Sequence, residues 1–126
     1  MALGSYRELR VWQRGMDLAE ACYTLTTGFP SEERFGMTSQ IRRAAAAIPA
    51  NIAEGYGRGS RPDYIRFVRI ANGSLKELET HLLLALRIKL VDEDRIAPVL
   101  ALADELGAML HKLMNALRAR AGAGAP

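Results

Sequence analysis

Cysteine is almost absent from this sequence: Cys22 stands alone among 126 residues. A lone thiol excludes an internal disulfide and any paired-cysteine metal or redox motif, and it suits a reducing, cytoplasmic setting. Aromatic residues make up only 6% of a chain that is 49% hydrophobic, so the core is to be built from Leu, Ala, Ile and Val. Long apolar runs are missing as well. The most apolar stretch, "LLLALRIKLV", contains Arg87 and Lys89 and falls far short of the roughly 20 residues a membrane helix needs. The N-terminus, "MALGSYRELRVW", lacks the basic-then-apolar pattern of a secretion signal. With two histidines and a single cysteine, few metal ligands are on offer.

Charge is present and unevenly placed. Of 17 basic residues 14 are arginine, and the formal net charge is +3. Between Arg34 and Lys76 eight cations (Arg34, Arg42, Arg43, Arg58, Arg61, Arg66, Arg69, Lys76) face two anions, Glu54 and Asp63, a local balance of +6. From Glu77 to Leu117 four cations face seven anions, a balance of −3. The first segment is the candidate contact surface for a polyanion, set against the plainer reading of a solvated helical face.

Hydrophobic spacing predicts helices throughout. Leu9, Trp12, Met16, Ala19, Tyr23 and Thr26 mark one face of a first helix, which Gly28 and Pro30 end; "SEERFG" then reads as a turn. Met37, Ile41, Ala45, Ile48, Ile52 and Tyr56 mark a second helix. Its phase passes unbroken through Pro49, which predicts a kinked continuous helix rather than two short ones. A small and polar stripe on the same helix (Gln40, Ala44, Ala47, Asn51, Glu54) offers close approach to another backbone and is the candidate oligomer interface. Ser60 as N-cap, with Pro62 in the first turn, opens a third helix marked by Tyr64, Phe67, Ala71, Leu75, Leu78, Leu82 and Leu86. The phase also holds across Asn72-Gly73, favouring one long helix. "VDED" separates it from a fourth, marked by Ile96, Val99, Ala103, Leu106, Leu110, Leu113 and Leu117. The expectation is an all-α, antiparallel up-and-down four-helix bundle over residues 8–120, with residues 1–7 as an extension and 121–126 as a flexible tail.

Gly55, Gly57 and Gly59 raise the question of chemistry. Their G-x-G-x-G spacing matches neither the dinucleotide fingerprint nor a phosphate loop, so they read first as a helix–helix corner. The start of helix three, beside Arg58 and Arg61, keeps a second reading as a seat for one phosphate, against which Asp63 works. A carboxylate-bridged metal bundle needs paired Glu-x-x-His turns; Glu77 and His81 are four apart, and no Glu stands three before His111. Cys22 has no neighbour that would lower its pKa. No catalytic residue, metal ligand or cofactor is therefore assigned, and the expectation is a protein that is not an enzyme. The positive signal is cationic: Arg66, Arg69 and Lys76 on helix three, Arg42 and Arg43 on helix two, Arg58 and Arg61 at the corner. These seven are the candidate nucleic-acid-binding residues, suited to backbone-directed, salt-sensitive contact with RNA or DNA.

The stretch "MTSQIRRAAAAIPANIAEGYGRGS", followed by "YIRFVRIANGSLKELETHLLLA", closely resembles the four-helix-bundle family of bacterial intervening-sequence proteins, first noticed within insertions of large-subunit ribosomal RNA genes. The match runs from about Tyr6 to Leu86, with Met37 where the family often has Leu. The resemblance implies a ring-shaped homopentamer with no established enzymatic activity. A similar bundle is the accessory protein of diversity-generating retroelements, a basic pentamer that partners a reverse transcriptase and nucleic acid. Gln40, Arg42, Arg43, Asn51, Glu54, Gly55, Gly57 and Arg58 are the motif positions of this chain. The alternative to nucleic-acid binding is a protein-interaction scaffold whose arginines serve assembly or acidic partner surfaces.

Overall fold

A computed structural model describes residues 5–123, with side chains through residue 119. Four α-helices follow in order: α1 Arg10–Thr27, α2 Met37–Gly57, α3 Arg61–Arg87 and α4 Glu93–Ala123. Single 3-10 turns precede α1 (Tyr6–Glu8) and α2 (Ser31–Glu33). Among the described residues there is no strand. Each helix packs on the one before and after it, and α1 closes on α4, whereas α1–α3 and α2–α4 do not meet. Joined by short corners, the helices form the square of an up-and-down bundle. Helix α4 carries on through Ala123, past the point where the sequence suggests a tail; residues 124–126 and 1–4 lie outside the described residues.

The helix ends follow local rules. Ser60 caps α3 by accepting from the Asp63 amide at 3.3 Å. At the start of α2, Gly36 has no side chain to cap with, and Glu33 instead accepts from the Met37 amide at 2.9 Å. Asp92 accepts from the Arg95 amide at 2.8 Å at the start of α4. Helix α3 ends in a Schellman turn: the Leu90 amide donates to the Ala85 carbonyl and the Lys89 amide to that of Leu86. The turn puts Lys89 at φ 66°, a left-handed conformation that favours glycine.

Helix α2 runs unbroken through Pro49, as the phase of its apolar residues predicts. Pro49 is buried where α1 passes, and a Cβ on Gly15 would lie 3.4 Å from the proline ring. That contact explains a correction. Helix α1 does not turn Met16 and Tyr23 inward; its buried residues are Val11, Gly15, Leu18, Cys22, Leu25 and Thr26, of which the expected stripe held only Thr26, while Leu9, Trp12 and Ala19 pack on the core's edge. Met16 and Tyr23 are each 45% exposed. Large apolar side chains suggested the wrong face because the true one uses glycine and cysteine, small enough to let α1 lie close to the proline. The ring of Trp12 packs partly on the core and edge-on to Tyr6, with centroids 5.3 Å apart.

The closest approach of all joins α2 to α3. A Cβ on Gly55 would stand 2.5 Å from the Cβ of Phe67, well inside van der Waals contact. Gly59, at φ +81°, then turns the chain, and Gly57 faces open space. Gly55 and Gly57 thus belong to the last turns of α2, and Gly59 stands in the corner. The remaining core is aliphatic: Ile41, Ile48, Ile52, Val68, Leu75, Leu78, Leu82, Ile96, Leu106 and Leu110 are fully or almost fully buried. Arg14 ties α1 to α4 through Glu105 at 3.0 Å.

Two substitutions test these backbone readings by chemical denaturation. Gly55→Ala forces a methyl against Phe67 and is expected to lower stability by about 1–3 kcal/mol. Lys89→Gly removes the left-handed strain and is expected to raise stability by about 1 kcal/mol.

Candidate nucleic-acid interface

The basic residues between α2 and α3 fall into distinct physical situations. Arg42 is half-buried and turned back into its own protomer. Its Nε donates to Thr26 Oγ1 at 2.8 Å, one terminal nitrogen donates to the Tyr23 carbonyl at 3.3 Å, and the guanidinium lies 4.7 Å from the centroid of the Tyr23 ring. Thr26 is itself buried and donates to the Cys22 carbonyl at 2.8 Å. Arg42 therefore latches α2 onto the C-terminal end of α1, where the helix dipole favours a cation.

Arg43, Arg58 and Lys76 are exposed and paired. Arg43 bridges α2 to α3 by reaching Glu77 at 3.3 Å, and it also donates to Gln40. Glu77 in turn stands 3.4 Å from His81. Arg58 meets Glu54 at 2.8 Å, a hydrogen-bonded contact that raises the pKa of its already basic guanidinium. Lys76 meets Glu79 at 3.1 Å. Exposed pairs of this kind are weak, screened by solvent and salt.

Arg61, Arg66 and Arg69 make no ion pair among the described residues, and all three are exposed. Arg66 and Arg58 both lie over the Phe67 ring, at 5.2 and 4.9 Å from its centroid. The residue whose Cβ requires glycine at position 55 thus also holds two guanidiniums on its ring at the α2–α3 corner. Along α3, Arg66, Arg69 and Lys76 are exposed, whereas Phe67, Ala71 and Leu75 are buried. Six of the seven candidate binding residues are exposed on this side of the molecule or at its corner; Arg42 is the one turned inward.

The small and polar stripe of α2 is divided too. Ala44 is buried in the protomer's own core at 1% exposure. Ala47 and Asn51 are half-buried, and the Asn51 amide donates to the Ala47 carbonyl at 2.8 Å. Gln40 and Glu54 are exposed and hold Arg43 and Arg58. Sequence reasoning missed the Tyr23 carbonyl and Thr26 as partners for Arg42, and Phe67 as the platform beneath two arginines. The adjacency of Arg66 and Phe67 is the one local hint; the other contacts join different helices.

The rest of the chemistry is quiet. Cys22 is buried without a polar partner, and burial pushes its thiol up to about 12, so it stays protonated at neutral pH. Among the described residues no group of three His, Cys, Asp or Glu side chains is placed to share a metal ion. Among the described residues, too, no helix is long and apolar enough to cross a membrane.

Comparison with known proteins adds one family and one fold. The family model of the 23S rRNA-intervening sequence protein matches residues 7–112. No curated protein sequence matches the chain. A solved structure of a protein of unknown function from the S23 ribosomal protein family of Bacteroides thetaiotaomicron is similar in fold, with a TM-score of 0.74 at 24% identity. The alignment covers 82% of this chain and 97% of that one.

Arg42→Met separates latching from binding. Loss of two hydrogen bonds and a ring contact is expected to lower stability by about 1–3 kcal/mol in denaturant titration. Affinity for RNA, measured on the folded variant, is expected to stay near the wild-type value.

Proposed function

Since the chain belongs to the 23S rRNA-intervening sequence protein family, we propose that it is a non-catalytic, self-associating helical bundle that holds RNA or DNA by its phosphate backbone. The observation that carries this reading is the solvent side of α3 and its leading corner. There Arg61, Arg66 and Arg69 stand without carboxylate partners among the described residues, beside Arg43, Arg58 and Lys76 in weak exposed pairs. Six cations on one side of so small a protein form the footprint that phosphate recognition needs. Arginine suits the task because its planar fork meets phosphate bidentately and stacks on bases. With no base-reading element, contacts fall on phosphate and sugar, and affinity depends on salt rather than on sequence.

The family resemblance extends the proposal to a ring of five copies in the cytoplasm. A ring repeats the cationic stripe once per subunit, so a weak site becomes a strong one through avidity. Phe67 supports the corner arginines by holding both guanidiniums on its ring, which limits the rotamer freedom lost on binding.

The second reading gives the same arginines to assembly or to a protein partner such as a reverse transcriptase. It draws on the pairs already made inside the protomer by Arg43 with Glu77 and Arg58 with Glu54, which show that these side chains bridge carboxylates readily.

One variant distinguishes the two. Arg66→Gln, Arg69→Gln and Lys76→Gln together remove three cations from exposed positions, so the helical content and melting profile are expected to be unchanged. Binding of a structured RNA is expected to weaken, and the slope of log affinity against log salt to fall by roughly 0.7–0.9 for each lost contact. An unaltered slope with loss of the oligomer points to assembly. Absence of any salt-dependent affinity in the wild-type protein rejects nucleic-acid binding altogether.

A further inference from the structure

Two apolar features at one end of the bundle remain unused by the basic surface. Phe35, in the corner between α1 and α2, is 87% exposed, the most exposed large apolar side chain among the described residues. Its ring carries only the Arg34 guanidinium, 5.3 Å from the centroid. In the corner between α3 and α4 lies an open groove of about 1110 Å³, with an apolar floor that includes Leu83, Leu84 and Leu90. Leu83 is 53% and Leu84 44% exposed, and Ile88 beside them is 51% exposed.

The topology relates these features in a definite way. Both corners lie at the same end of an up-and-down bundle, which the approach of Arg95 in α4 to Gly28 at the end of α1 makes concrete. They also lie on opposite edges, because α1–α2 and α3–α4 are opposite sides of the square. A projecting ring on one edge and a cavity on the other cannot meet within one chain. They can meet between chains, and the same pair is then free to repeat.

We propose that Phe35 of one copy seats in the Leu83–Leu84 groove of the next, joining the chains head to tail. This deepens the self-association stated above and rests on it. Charge supports a second copy as the occupant. The corner that carries Phe35 exposes one anion, Glu32, and one cation, Arg34, and the groove is lined by cations (Arg87, Lys89, Arg95) and anions (Asp92, Glu93). Each charge of the corner thus has partners of opposite sign in the groove lining. The contact uses two different surfaces of the same chain, so it is heterologous, and such contacts close into rings or continue as filaments. A phenylalanine ring withdrawn from water into an apolar pocket is the kind of anchor that dominates interface energetics. The basic side of α3 stays open in this arrangement, since Arg66 and Arg69 lie toward the other end of that helix.

Mixing experiments test the proposal on the full chain. Light scattering is expected to give a multiple of the 13.8 kDa chain mass for the wild-type protein, and the single-chain mass for Phe35→Asp and for Leu83→Asp. Both side chains are exposed, so circular dichroism is expected to match the wild type; Phe35→Ser serves as a milder knob variant with the same expected mass. Each variant keeps one intact surface. An equimolar mixture of Phe35→Asp and Leu83→Asp is therefore expected to form a dimer and nothing larger, because the only intact knob and groove belong to different chains. If the Phe35 variants retain the wild-type mass, or if the mixture yields no dimer, this interface is wrong while self-association stands. A wild-type protein that is monomeric at every concentration overturns both.

Discussion

The bundle depends on how closely α2 and α3 approach at their shared corner. Phe67 presses its Cβ against Gly55, leaving no room for any other residue there, and the chain reverses four residues later through the left-handed Gly59. Near this contact Ile52 of α2 and Val68 and Leu75 of α3 are buried in one core. It also places the Phe67 ring beneath Arg58 and Arg66. A packing constraint and a charged surface are thus consequences of one pair of residues.

A similar economy governs the first pair of helices. Gly15 on α1 faces Pro49 on α2, and the proline that removes a hydrogen bond from its own helix gains a close neighbour on the next. A turn or two away, Arg42 gathers carbonyl, hydroxyl and ring contacts at the end of α1. Both junctions turn on residues (Gly15, Pro49 and Arg42) that a hydrophobicity pattern counts as breaks or as surface.

The two ends of the molecule differ in character as a result. The α2–α3 corner is cationic, with Arg58 and Arg61 flanking the turn and Arg66 and Arg69 following on α3. The opposite end exposes Phe35 on one edge and the Leu83–Leu84 groove on the other, with charges of both signs around them. One end therefore concentrates charge of a single sign, while the other exposes apolar side chains among charges of both signs. Arg87, far along α3, shows that the basic side chains thin out rather than stop before the groove.

The sequence by itself determined the number of helices, their corners and the continuity of α2 and α3, because apolar period, caps and turn glycines are local signals read within a few residues. It also determined where positive charge is concentrated along the chain. Only the tertiary structure decided which face of α1 is buried, since Gly15 and Cys22 gain their inward position from Pro49 and the core rather than from their own hydrophobicity. It likewise decided that Arg42 turns inward while Arg69 faces solvent, and that Ala44 belongs to the protomer's core. Arginines one residue apart look alike in a sequence. What separates them is the neighbouring helix, whose carbonyls, rings and carboxylates arrive only when the bundle has closed.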